Sequence, residues 1–118
     1  MSTTVTIPHQ SIRSDSGEEG TIRGALISRP DGLAYGRLAV ASRNGARRYR
    51  AISGSAGSAT TLTIQLEEIL TDPGASSLAS LDIDIPAGGD DAGVVLSRLS
   101  DGVELLRTSV RLDITNSQ

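Results

Sequence analysis

The chain has 118 residues, which is one ordinary domain and enough to bury a core without metal or disulfide staples. It contains no Cys and no Lys, which removes disulfides, thiolate catalysis, thiolate zinc sites, Walker-A phosphate binding and Schiff-base chemistry. Phe and Trp are absent and Tyr35 and Tyr49 are the only aromatics, so platforms for stacking sugars or bases are nearly missing.

The net charge of −3 conceals a division. Residues 1–50 carry eight Arg against Asp15, Glu18, Glu19 and Asp31, or +4; residues 51–118 carry three Arg against ten acids, or −7. Either the two halves intermix in the fold and neutralise each other, or the asymmetry survives as an interaction surface. The opening MSTTVTIPHQ has no basic region followed by a long apolar run, and no apolar run reaches the ~18 residues of a membrane span. A product made in the cytoplasm without a signal peptide, and without membrane contact, is expected.

Ser2–Pro8 alternates Val5 and Ile7 against Thr4 and Thr6 and predicts a strand that Pro8 ends or places at a sheet edge. Gln10–Gly20 is polar, Ser/Gly-rich and acidic, a flexible loop by composition. Thr21–Ser28 is a second strand, closed by the turn Arg29-Pro30-Asp31-Gly32. Leu33–Ser42 and Ala46–Ser53 then flank Asn44-Gly45, the pair that supplies both positive-φ residues of a type I′ hairpin turn.

With those two residues as the loop, Arg43 faces Ala46, Val40 faces Tyr49 and Leu38 faces Ala51. Leu38, Val40, Tyr49 and Ala51 share one face, fit for a core. Arg37, Arg43, Arg48 and Arg50 gather on the other over Ala39 and Ala41, with Arg47 at the turn edge. Long arginine stems lie readily across small alanines, but guanidinium groups collected on one sheet face repel one another unless anions lie near.

Gly54–Ser58 reads as a small-residue connector. Ala59–Leu66 alternates as a strand and runs into a loop or helical turn at Glu67–Thr71; Leu62, Leu66, Ile69 and Leu70 also fit helical spacing, stopped at Asp72-Pro73-Gly74. Leu78–Pro86 alternates Leu81, Ile83 and Ile85 against Asp82 and Asp84, and Ala87–Gly93 is a loop. Val94–Ser100 and Val103–Thr115 form a hairpin about Asp101-Gly102, with a phase slip at Leu105-Leu106 that a bulge would absorb.

About eight short strands with little helix predict an all-β single domain over residues 1–118. The expected frame is an antiparallel β-sandwich or small barrel, Ig-like or jelly-roll-like, with a flexible acidic loop at 10–20.

Candidate chemistry is sparse. His9 is the sole histidine, lies beside Pro8 and has no nucleophile elbow to serve; Ser55 in Gly54-Ser55-Ala56-Gly57 lacks that spacing. Asp82 and Asp84, with Asp90 and Asp91, resemble calcium ligands only in type, because strand residues at i and i+2 stand about 7 Å apart. They read as a solvated face or as partners for Arg on the next strand. Gly54–Ser58 is glycine-rich, but no Lys and no clear helix follow it.

The arginine face is the best candidate. Arg37, Arg43, Arg48 and Arg50 are placed to receive carboxylates from a neighbouring subunit or phosphates from nucleic acid, unless Asp82, Asp84, Glu67 or Glu68 of the same sheet satisfies them. The overall acidity disfavours nucleic acid.

No catalytic, metal-binding or cofactor-binding set emerges, and no cofactor is expected. The sequence therefore points to a non-enzymatic structural protein, a small β domain packing into or decorating a larger symmetric assembly such as a bacteriophage virion decoration, neck or tail component. Its partners would be copies of itself or a neighbouring subunit. The alternative is a cytosolic β-sandwich module that recognises a peptide or protein by strand addition at the edge Thr3–Pro8.

Overall fold

The computed structural model describes residues 2–14, 17–43, 45–58, 60–69, 77–85 and 91–117, with 56–58 and 117 described by their backbone alone. Among these residues there are nine strands and no helix. They are β1 (Ser2–Arg13), β2 (Glu19–Ser28), β3 (Ala34–Ser42), β4 (Gly45–Ser58), β5 (Thr61–Glu68), β6 (Leu78–Asp84), β7 (Ala92–Arg98), β8 (Glu104–Val110) and β9 (Asp113–Ser117). All pairings are antiparallel, in one sheet of order β8-β7-β6-β5-β4-β3-β2-β1-β9.

The all-β antiparallel expectation holds. The connectivity differs from the Greek-key patterns of Ig-like and jelly-roll frames: from β1 to β8 each strand pairs with its successor, and β9 adds beside β1. Short local turns give this meander wherever every connection is a hairpin.

The sheet curls into a half-barrel whose ends approach each other. Only Arg111 and Leu112 separate β8, at one end of the strand order, from β9 at the other. The buried Thr108 hydroxyl of β8 donates to the Arg13 carbonyl of β1 at 2.8 Å. Gln10 donates from Nε2 to the Arg111 carbonyl and accepts from the Arg111 N–H, both at 2.8 Å. Its amide thus replaces ladder bonds where β8 leaves β7 and β9 has yet to meet β1.

The concave face carries the core: Val5, Ile22, Leu26, Leu38, Tyr49, Ile64, Leu66, Leu81, Ile83, Val94 and Val110 are each at most 1% exposed. Two glycines let β2 and β3 bend over it. Gly24 pairs with Leu38 and Gly36 with Leu26, so on each rung a leucine fills the space that the glycine leaves. Gly36 takes φ = 114°, in the left-handed region, and a Cβ there would collide with the Ala25 carbonyl oxygen.

Several boundaries move. Residues 10–13 and 19–20, expected in a flexible loop, are paired strand: Gln10 with Ile22, Ser11 with Thr21, Ile12 with Gly20, Arg13 with Glu19. Pro8 does not end β1, because it sits with His9 in a bulge between Ile7 and Gln10, where its missing N–H disrupts nothing, and the alternation resumes at buried Ile12. Of the remaining turn, Asp15 lies outside the described residues.

Gly54–Ser58, expected as a connector, is the end of β4, and β5 continues through Glu68, so the helical alternative does not form there. Asp72-Pro73-Gly74 and Asp90 lie outside the described residues. The bulge expected at Leu105-Leu106 is present: Leu96 pairs with Leu106 and Ser97 with Glu104, leaving Leu105 unpaired.

The β3–β4 reversal lies one residue earlier than expected. Ser42 pairs with Gly45, so Tyr49 faces Leu38 rather than Val40. Asn44 lies outside the described residues; Gly45, expected in the turn, is already paired strand and takes φ = 121°. The offset is two residues, so no side chain changes face.

Candidate interaction surface

The outward face of β2–β4 is built by alternation. β2 turns Ile22 and Leu26 inward and so turns Arg23 and Ala25 outward; β3 does the same with Leu38 inward and Arg37 and Ala39 outward. β4 buries Tyr49 and Ala51 and exposes Arg48 and Arg50. Register then assembles the charges: Arg23, Ala39 and Arg48 form one rung, and Ala25, Arg37, Arg50 and Glu67 the next.

The expected residues separate into two groups. Arg50 donates to Glu67 at 3.0 Å and is neutralised within its own sheet. Arg43 lies exposed in the reversal, away from the rungs. Arg47 pairs with Val40, on the core-facing side, and its guanidinium comes within 4.0 Å of Glu68 at the sheet's mouth.

Arg37 and Arg48 remain exposed, with no ion pair among the described residues. With Arg23, which is equally unpaired, they line a depression of about 420 Å³ floored by Gly24, Leu38 and Ala39. Arg23 was missed in the sequence because its strand lies outside the Asn-Gly hairpin. Its signal was present: Ile22 and Leu26 frame it, and the Arg29–Gly32 turn sets β2 beside β3.

Direct opposition of Arg37 and Arg50 costs little in water, about 1 kcal/mol at ~5 Å, and Glu67 relieves it on one side. The face therefore tolerates its charge as a monomer and gains when an anion covers it.

Next to the arginines the same face is apolar. Ile27 and Tyr35 are cross-strand partners, 39% and 48% exposed, and the Arg29 guanidinium lies 5.8 Å from the Tyr35 ring centre. An arginine cluster beside an exposed tyrosine is the composition in which interface energy concentrates.

The acidic half stays apart. Because strand order follows chain order from β1 to β8, β1–β4 and β5–β8 are contiguous blocks, and among the described residues the two halves meet only at their borders: Arg47 and Arg50 of β4 reach Glu68 and Glu67 of β5, β8 touches β1, and β9 with Asp113 pairs with β1. Asp82 and Asp84 point outward from β6, paired in register with Val95 and Gly93 of β7. Asp82 accepts from the Thr63 hydroxyl at 2.8 Å; neither aspartate meets an arginine. They line a second depression, about 510 Å³, with Thr61, Thr63, Ser109 and Arg107; Arg107 shares the Asp82–Val95 rung, and its guanidinium donates to Glu104. Among the described residues no three His, Cys, Asp or Glu converge as metal ligands. His9 is exposed in the β1 bulge.

The edge proposed for strand addition is covered: Thr3–Thr6 pair with β2 on one side and with β9 on the other. The outer side of β9 is the free edge there.

At the mouth, Tyr49 is 1% exposed and its hydroxyl has no hydrogen-bond partner among the described residues. Burial raises its pKa above the usual 10.0; Arg47 opposes the shift and Glu68 adds to it. The unfolded chain then releases this proton first, so stability is complete below pH ~10 and falls as pH rises through the folded value. Tyr49→Phe removes an unsatisfied polar group, and we expect stability unchanged or raised by up to about 2 kcal/mol, with a flatter alkaline limb in urea titrations. A loss above about 1 kcal/mol would show that the hydroxyl is bonded.

No helix among the described residues is long and apolar enough to cross a membrane. Comparison with protein-family models, with curated proteins and with solved structures finds no match.

Proposed function

We propose that the protein is a non-enzymatic structural subunit, a curled β domain that joins copies of itself or a neighbouring subunit in a larger symmetric assembly. The observation that carries this reading is spatial: three arginines without an ion pair among the described residues, beside an exposed tyrosine on β2–β4, and the outward Asp82 and Asp84 on β6. A domain so divided attracts a second one in a fixed orientation. A decoration, neck or tail component of a bacterial virus is an assembly of this kind. The curl of the half-barrel suits this role, because the Thr108 and Gln10 bonds hold its two ends near each other and shorten the open edge to the outer sides of β8 and β9.

Light scattering across protein concentration and ionic strength tests the reading. Mass above the monomer is expected at low salt, declining as salt shortens the screening length from about 30 Å at 0.01 M to about 3 Å at 1 M. A monomer at every concentration and salt overturns it.

A further inference from the structure

Building on that reading, we propose that the Arg23–Arg37–Arg48 face of one copy docks on the Asp82–Asp84 face of a second copy, its long arginine side chains reaching into the depression that the aspartates line, giving a head-to-tail contact. The two faces match in charge and in what each lacks. Among the described residues Arg23, Arg37 and Arg48 form no ion pair with a carboxylate, and Asp82 and Asp84 form none with a guanidinium; Arg107, which lines the aspartates' depression, is engaged by Glu104.

They also match in spacing. Arg37 and Arg48 are diagonal neighbours on adjacent strands, about 7–8 Å apart at their backbones. Asp82 and Asp84 are two residues apart on one strand, about 7 Å. Two arginine–aspartate pairs therefore form in register, with Arg23 extending the row beyond them.

Shape permits the approach. Gly93, beside Asp84, has no side chain, and a Cβ there would meet nothing nearer than the Asp84 Cβ at 3.8 Å. A guanidinium entering over Gly93 reaches the Asp84 carboxylate without displacing a neighbour. Tyr35 and Ile27 flank the arginines and supply the apolar part of the contact.

The faces lie on different strands of one chain, β2–β4 and β6, three strands apart from β3 to β6 around the curl. A contact between unlike patches leaves a free patch of each kind at the two ends. It closes a ring if the rotation per copy divides a full turn, and otherwise builds a filament.

The test uses two double variants of the full chain, Arg37→Gln with Arg48→Gln, and Asp82→Asn with Asp84→Asn, all four at exposed positions. Each alone is expected to lose at least tenfold in self-association by sedimentation velocity at low salt. Mixed in equal amounts they restore one intact contact, so the mixture forms a 1:1 dimer and stops there. Self-association of the aspartate variant at wild-type strength, or a mixture that stays monomeric, overturns the inference.

A further chain carrying Arg37→Asp, Arg48→Asp, Asp82→Arg and Asp84→Arg together recovers wild-type association if the two faces meet. It remains monomeric if they do not, provided its circular dichroism shows the native sheet. Failure here is distinct from failure of the assembly reading. If the wild type associates with salt sensitivity while the aspartate variant does so equally, the subunit role stands and the acceptor is another surface. If the wild type never associates, both fall.

Discussion

Gly36→Ala will destabilise the chain by about 3 kcal/mol or more, read as a fall in the urea midpoint at unchanged slope. Two costs add. The residue takes φ = 114°, where an L side chain is strained by about 1–2 kcal/mol. The new Cβ also meets the Ala25 carbonyl oxygen, a backbone atom within the β2–β3 ladder that moves only if the pairing moves.

Leu26, opposite Gly36, fills the same rung, so the core offers no free space on that side. Two controls separate the costs. Gly102 has φ = 73° with nothing within 4 Å, so Gly102→Ala shows conformational strain alone, about 1 kcal/mol. Gly93 has neither feature, and Gly93→Ala is expected to be neutral. A Gly36→Ala protein within 1 kcal/mol of wild type would show that β2 and β3 do not approach as closely as their register implies.

Period-2 alternation made the inward face legible, and it did so despite errors of register. Leu38, Val40, Tyr49 and Ala51 share a face under either pairing of β3 and β4, because a two-residue offset preserves parity. Local composition was a poorer guide where it competed with pairing. Gln10–Arg13 and Gly54–Ser58 look like loop by residue type yet are strand, since each lies beside a strong partner, β2 and β5, and gains ladder bonds by extending. Strand order was not written in any one stretch. It follows from every connection being short, which becomes visible only once bulges at Ile7/Gln10 and Leu96/Ser97 absorb the phase slips.

The arginine surface was half legible. Arg37 and Arg48 follow from a single hairpin, but Arg23 enters from the strand beyond it, and Arg50 leaves because Glu67 arrives from the strand on the other side. Both corrections are matters of neighbours, which a reading confined to one hairpin does not contain. The charge division between the chain's halves was countable from the start. Whether it survived folding depended on topology: a Greek key would have interleaved the two halves, whereas this meander brings them together only at its borders, β4 with β5 and β9 with β1.

Removal of β9 by ending the chain after Arg111 is expected to cost about 3–5 kcal/mol, a large share of the 5–15 kcal/mol that holds a domain of this size. Five rungs, Ser2–Ser117 through Thr6–Asp113, disappear, and each lost backbone bond is worth about 1 kcal/mol net or less at an exposed rim. Ile114, half-buried against the core beside Val5, takes about 1 kcal/mol more with it.

The exposed strand is then Thr3-Thr4-Val5-Thr6-Ile7, β-branched throughout and uncharged, which is a template for pairing between chains. The truncated protein should therefore unfold at lower urea and also form aggregates that salt does not dissolve, unlike the association through charged faces. Amide exchange offers a finer measure: β1 amides facing β9 lose protection, while those of β5 and β6 keep it. Gln10→Ala, which deletes the two bonds to Arg111 and the local one to the Pro8 carbonyl, should lower stability by about 1–2 kcal/mol without exposing that edge. If the truncated chain keeps its midpoint, the seam between β8 and β1 holds the curl unaided, and β9 is an addition to a sheet already closed.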